Sequence, residues 1–251
     1  MADFMKGHFL TILLLLSIRV LAQDSADSKK LILSTNFSVD IDNLNVGDLN
    51  NYLLDKGYFV TPNSQLNTVF GLSLRDNTPW IFNLLLFQGE ANNEPNEKSS
   101  ISSFGTRMEL LYDLIKNDKW TIAPFVGIQT SDYQLISVSQ NVISPLTGNN
   151  LEEICQMTDL FQFRPGFLID RKLRISFLDL YLGMQISYCV QIGSDSWHNS
   201  RGEVLNNLPS TNFSGLSVGF TGRLHFNPVG WVRKMSKIKE KKEKTTGHNT
   251  T

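Results

Sequence analysis

Cysteine is nearly absent from this sequence, with Cys155 and Cys189 the only two in 251 residues. That excludes a disulfide scaffold and any multi-cysteine zinc centre, and leaves one optional bridge between the two. An excess of charge of either sign is lacking too, since the formal net charge is −1. No basic patch is interleaved with aromatics, so no nucleic-acid partner is expected. Beyond the N-terminal region, no stretch approaches the ~18 to 20 uncharged apolar residues of a membrane-spanning helix, which excludes a helical membrane protein. Neither the histidines nor the carboxylates show the paired spacing of a metal site, so neither a metal nor a cofactor is expected.

What is present begins with Lys6, followed by an apolar run from Phe9 to Val20 broken only by Thr11, Ser17 and Arg19. This run is too short to span a bilayer and fits a secretory signal peptide over residues 1–22, with Val20-Leu21-Ala22 as the small-residue cleavage site before Gln23. No cysteine follows that site, which argues against a lipoprotein anchor. Residues 23–226 read as one domain and residues 227–251 as a basic, solvated tail carrying Arg233, Lys234, Lys237, Lys239, Lys241, Lys242 and Lys244.

The domain alternates apolar and polar residues in segments of roughly ten, the length a tilted strand needs to cross hydrocarbon. In the first, Leu31, Leu33, Thr35, Phe37, Val39 and Ile41 share a face opposite Ser34, Asn36, Ser38 and Asp40. Seven more follow: Leu66 to Arg75, Trp80 to Gly89, Ser103 to Ile115, Trp120 to Gln129, Leu160 to Asp170, Phe177 to Ile192 and Ser214 to Phe226, of which only the segment opening at Trp80 is apolar on both faces. The expected fold is an all-β, eight-stranded, antiparallel up-and-down transmembrane barrel.

Alternation alone does not say which face points outward, because a soluble lipocalin-like carrier shows the same period. The connections favour a membrane barrel. They run long, short, long, short, long, short, long: Asp42–Gln65, Asp76–Pro79, Glu90–Ser102, Lys116–Lys119, Thr130–Asp159, Arg171–Ser176 and Gly193–Phe213. Short periplasmic turns opposite long extracellular loops are expected of such a barrel. Trp80 and Trp120 each open a strand straight after a short turn, where an interfacial aromatic girdle belongs. One short helix is expected in the first long loop, capped by Asn45, with Val46, Leu49 and Leu53 on one face and Lys56-Gly57 at its end.

Three residue groups carry a likeness to a known family: Leu49-Asn50-Asn51-Tyr52-Leu53-Leu54-Asp55-Lys56-Gly57-Tyr58, Ala123-Pro124-Phe125-Val126-Gly127-Ile128 and Leu216-Ser217-Val218-Gly219-Phe220. In these the sequence resembles the PorT-like outer-membrane β-barrels. The resemblance implies an integral outer-membrane barrel, in a family where some members serve secretion or adhesion, and it implies no shared catalytic residues. The sequence departs from the usual pattern by continuing about 25 residues past Phe226, where an aromatic normally ends an outer-membrane barrel.

With polar faces inward, Arg75, Arg107, Glu109, Asp113, Arg164, Asp179, Tyr181, Arg223 and His225 fall in the lumen of a narrow barrel. Eight strands leave room for side chains and not for a channel, so these groups should pair into a structural polar core that plugs the barrel. A lone histidine such as His225 reads as a core residue. Trp197-His198-Asn199-Ser200, with Glu203 nearby, has the His-x-Ser spacing of outer-membrane lipid A deacylases, although it lies in a loop. Cys155 has the parity of the outward face and Cys189 that of the inward face, so a bridge requires Cys155 to sit in irregular loop. The expectation is a monomeric, non-enzymatic barrel in outer-membrane lipid, in contact with an envelope or secretion partner. A lipid-modifying barrel enzyme and the soluble carrier are the alternatives.

Overall fold

A computed structural model describes residues 32–226, apart from residues 76–77, 93–98, 116, 118, 144–149, 176–177, 194–195, 200, 206–207 and 210. The signal peptide and the basic tail expected from the sequence lie outside the described residues. The strands are β1 (Ile32–Asn43), β2 (Ser64–Arg75), β3 (Trp80–Asn92), β4 (Ser99–Tyr112), β5 (Trp120–Ile143), β6 (Asn150–Ile175), β7 (Leu178–Ile192), the two-residue β8 (His198–Asn199) and β9 (Gly215–Phe226). Every long strand pairs antiparallel with its neighbour in sequence. β5 pairs with β6, and β9 lies between β7 and β1, so eight strands close into a ring.

The polarity of the wall is inverted relative to a soluble barrel. Leu33, Phe37, Val39 and Ile41 of β1 are exposed while Asn36, Ser38, Asp40 and Asp42 are buried. Phe104, Met108 and Leu110 of β4, Leu182, Met184, Ile186, Tyr188 and Val190 of β7, and Phe220 and Leu224 of β9 repeat the pattern around the ring. An apolar wall around a polar filling suits a barrel whose outer solvent is lipid. It excludes the lipocalin-like arrangement, in which the apolar faces meet inside.

The long connections differ from expectation. β3 and β4 extend to Asn92 and from Ser99, and β5 and β6 run on to Ile143 and from Asn150, so most of Glu90–Ser102 and Thr130–Asp159 is strand. Above the apolar belt the strands go on pairing, and there the inward face becomes apolar. Ile101, Tyr133, Leu135, Cys155 and Met157 point in, because this part of the wall stands in water and follows the rule of soluble proteins.

The helix α1 (Gly47–Asp55) lies in the first long connection, as expected. Val46, Leu49 and Leu53 are buried and join that apolar cluster together with Leu44, Trp197 and Phe213. Asn45 does not cap it. Val46 occupies the N-cap position, and its side chain, which has no atom able to accept a hydrogen bond, packs into the buried face instead. The C-terminal end is a Schellman turn: Gly57 at φ +75 donates to the Leu54 carbonyl and Tyr58 to the Leu53 carbonyl. Asn50 then straps the returning chain, donating to the Thr61 carbonyl at 3.0 Å and accepting from the Thr61 N–H at 2.8 Å.

A one-residue bulge corrects the parity read for Cys155. Asp159 adopts φ +58 and its N–H donates to Asp132 Oδ1 at 2.8 Å, while the β5–β6 register shifts between Ser131 and Tyr133. Below the bulge Leu160, Gln162 and Arg164 point inward; above it Met157 and Cys155 do. Both cysteines therefore face inward, yet both are free thiols. The β6–β7 register sets Cys189 at the level of Arg164, nine residues along β6 from Cys155. At ~3.3 Å per residue that is on the order of 30 Å, against about 5.5 Å between the α-carbons of a bridge. Alkylation of unreduced, denatured protein should therefore label both thiols, and protection of either from the reagent would contradict this register.

Candidate functional site

Alternation brings the polar faces together in a narrow lumen, where they sort into layers. At the short-turn end, Arg75 Nη2 lies 2.7 Å from Asp113 Oδ2, Lys172 Nζ lies 2.7 Å from Asp179 Oδ2, and Arg223 binds Asp170. The Tyr181 ring lies 5.1 Å from the Arg223 guanidinium and 5.6 Å from the Lys172 ammonium. His225 is half-buried beside them, its backbone level with Asp179 on β7. Above this layer Ile81, Leu111, Ala123, Phe125 and Leu168 form an apolar band.

The centre of the lumen is organised by Asp40 of β1, which is 0% exposed. Arg107 Nη1 donates to its Oδ2 at 2.9 Å and Arg164 Nη2 to the same oxygen at 3.3 Å, while Gln185 Nε2 donates to Oδ1 at 2.8 Å. One carboxylate thus joins β1, β4, β6 and β7. Gly219 on β9 lets that carboxylate lie against the wall, since a Cβ there would collide with Asp40 Oδ1. Arg107 Nε also donates to Gln129 Oε1 at 2.9 Å, Arg164 Nη2 to Ser217 Oγ at 2.6 Å, and Arg107 Nη1 lies 3.9 Å from Glu109 Oε1. Asn83 Nδ2 donates to Glu109 Oε2 at 3.0 Å and Asn83 Oδ1 accepts from Ser73 Oγ at 2.6 Å, which extends the network to β2 and β3. A guanidinium buried beside shared carboxylates is held by charge-assisted bonds, which are stronger than neutral ones.

An apolar stopper lies at the long-loop mouth. The rings of Tyr133 and Phe213 stack at 3.9 Å, and Trp197 meets Phe213 edge-on at 6.1 Å. The Phe213 backbone is clamped from below: its N–H donates to Gln191 Oε1 at 2.8 Å and its carbonyl accepts from Gln162 Nε2 at 3.1 Å. Trp197 Nε1 donates to Thr211 Oγ1 at 2.9 Å. Burial pushes the Tyr133 hydroxyl above its ordinary pKa, so it stays neutral in this layer.

All nine lumen residues expected from the sequence face the interior or its short-turn mouth. The hub was not among them: Asp40 lies on the polar face of the first strand, but alternation gives no measure of which polar residue meets the others. Asp170, Gln129, Gln162, Gln185 and Lys172 were likewise outside that set, and the stopper was hidden in segments read as loop. Trp80 and Trp120 stand half-exposed at the short-turn end, Trp80 edge-on to Tyr112 at 4.8 Å. In the β7–β9 connection, the backbone of His198 and Asn199 pairs with Gln156 and Cys155 of β6, and Glu203 Oε2 accepts from Asn199 Nδ2 at 2.7 Å. Ser200, the other member of the His-x-Ser pair, lies outside the described residues.

No protein-family model matches this chain, and no curated protein matches it in sequence. Among solved structures it is similar to Neisserial surface protein A, at TM-score 0.41 and 10% identity over 78% of this chain and 96% of that one. It is similar too to Ail, the attachment invasion locus protein of Yersinia pestis, at TM-score 0.41 and 7% identity over 78% and 96%. A major outer membrane protein from Thermus thermophilus follows at TM-score 0.37 and 10% identity over 75% and 99%. Likenesses this distant carry nothing about a role. The barrel rests on its own pairing and burial.

Replacing Asp40 by Asn leaves two buried guanidinium groups without their shared anion. It should lower the unfolding free energy in lipid vesicles by ~3 to 5 kcal/mol. Arg174→Gln removes an ion pair whose cation is 72% exposed and 3.5 Å from Asp179, and should cost no more than ~1 kcal/mol. Urea titrations followed by tryptophan fluorescence compare the two, and equal losses would show that Asp40 is no hub.

Proposed function

We propose that this chain is a non-enzymatic integral barrel of a bacterial outer membrane, with a closed lumen and with its work done at the long-loop end. The observation that carries this reading is the buried bonding of Asp40 to Arg107, Arg164 and Gln185 across the centre of the barrel, beneath the stopper of Tyr133, Phe213 and Trp197. A ring of eight strands is too narrow to hold these side chains and a water path together. The polar groups join strand to strand, as a structural core does.

The outer membrane follows from an apolar wall combined with the export signal read in residues 1–22, because exported barrels of this kind insert there. The short turns then face the periplasm, and α1, β8 and the β5–β6 hairpin face outward. Paired strands and a packed apolar cluster make that outer part a shaped surface suited to a binding, structural or secretion-accessory role, the last in keeping with the PorT-like resemblance.

Reconstitution into planar bilayers tests the closed lumen. Inserted protein, verified by its heat-modifiable gel mobility, should leave the membrane without stable conductance steps. Large, long-lived steps would refute the reading.

A further inference from the structure

Among the described residues, the wall of the barrel carries one arginine in a place where lipid is the expected neighbour. Arg171 of β6 is exposed and has the outward parity of Ile169 and Leu173, which flank it along the strand. Its cross-strand partners are Trp120 on β5 and Leu182 on β7. All four of these apolar neighbours are exposed, between 37% and 43%. Leu173 and its partner Leu180 lie nearer the short turn than Arg171 does, so the apolar belt continues past the charge on that side.

Among the described residues no carboxylate takes up this cation. Asp170 faces inward and binds Arg223, and Asp179 binds Lys172 and Arg174. The guanidinium lies 5.6 Å from the Trp120 ring centroid, within reach of a cation–π interaction. Lys119, exposed beside Trp120, is fixed at the same level by its carbonyl, which accepts from the Lys172 N–H at 2.7 Å. A cation in an apolar belt is costly unless it reaches an anion at the interface, and the planar fork of arginine matches the oxygens of a phosphate.

We propose that Arg171, held on Trp120 and assisted by Lys119, forms a site for the headgroup phosphate of an anionic phospholipid in the membrane leaflet on the short-turn side. The ligand is a lipid and not free phosphate, because the surroundings of the fork are Ile169, Leu173 and Leu182, which receive acyl chains. The site rests on the membrane-barrel reading, whose failure shows separately: a protein that does not insert gives no heat-modifiable band.

The experiment uses full-length protein reconstituted into vesicles of equal parts phosphatidylglycerol and phosphatidylcholine, extracted in mild detergent and weighed by native mass spectrometry. Wild-type protein should retain phosphatidylglycerol over phosphatidylcholine by about fivefold. Arg171→Gln should bring that ratio to about one, and Arg171→Lys, which keeps charge without the fork, to an intermediate value. Arg174→Gln on the same hairpin should leave it unchanged, and millimolar inorganic phosphate should not displace the lipid. An inserted wild-type protein without lipid preference overturns the site. So does an equal effect of Arg174→Gln, or displacement by free phosphate.

Discussion

Inside hydrocarbon a backbone N–H or C=O without a partner costs several kcal/mol, and no water is at hand to supply one. A sheet in that medium can have no edge. The pairing of β1 with β9, from Ser34 opposite His225 to Asp42 opposite Ser217, removes the last one. Much else follows from that closure. Eight strands in a ring define a lumen as narrow as the side chains that line it. Period-two alternation then sends every second residue into that space whether or not it has a partner there.

Filling such a space with ions is stable only when each charge finds a counterpart, because both have been taken out of water. The lumen meets this with ion pairs between strands that are not neighbours in the ring. Asp40 on β1 reaches Arg107 on β4 and Arg164 on β6. Contacts of this kind span the barrel and oppose its flattening, which the ladder of backbone bonds alone does not do. Gly219 opposite Asp40 is part of the same arrangement: the carboxylate needs the volume that a side chain would have taken. The apolar stopper meets a different solvent. Above the belt the wall stands in water on its outer face, so Ile101, Tyr133, Leu135 and Met157 turn inward and bury themselves against α1.

That change of rule explains what could be read from the sequence and what could not. Within the belt most strands alternate, β3 excepted, and the strand set and the inward arginines were legible from that period, while the α1 face of Val46, Leu49 and Leu53 was legible from helical spacing. Above the belt, serines and glutamines such as Ser137, Ser139 and Gln134 blur the period, so the upper halves of β5 and β6 read as loop. Parity also failed at one residue. An aspartate in left-handed geometry at Asp159 inverts the facing of everything before it on β6, and nothing in the local sequence distinguishes that aspartate from one in a regular strand. The bridge admitted for Cys155 and Cys189 failed on register, which no count of spacings contains. The hub at Asp40 was legible as an inward residue and illegible as a centre, because centrality depends on which strands lie across the ring.

Arg171 shows how far the side a residue faces decides its chemistry. Arg164 is seven residues away on the same strand and points inward, where a carboxylate, a glutamine and a serine surround it. Arg171 points outward, where the wall offers an aromatic face and three aliphatic side chains. Both guanidinium groups carry the same charge and the same fork of donors. For Arg164 the polypeptide supplies the anion, and for that reason it belongs to the barrel's own stability. For Arg171 none of the described carboxylates is in place, and the anion proposed for it comes from the medium in which the wall is embedded. At the edge of a bilayer the abundant anion is the lipid phosphate, and an interaction of that kind fixes the depth at which the short-turn end rests.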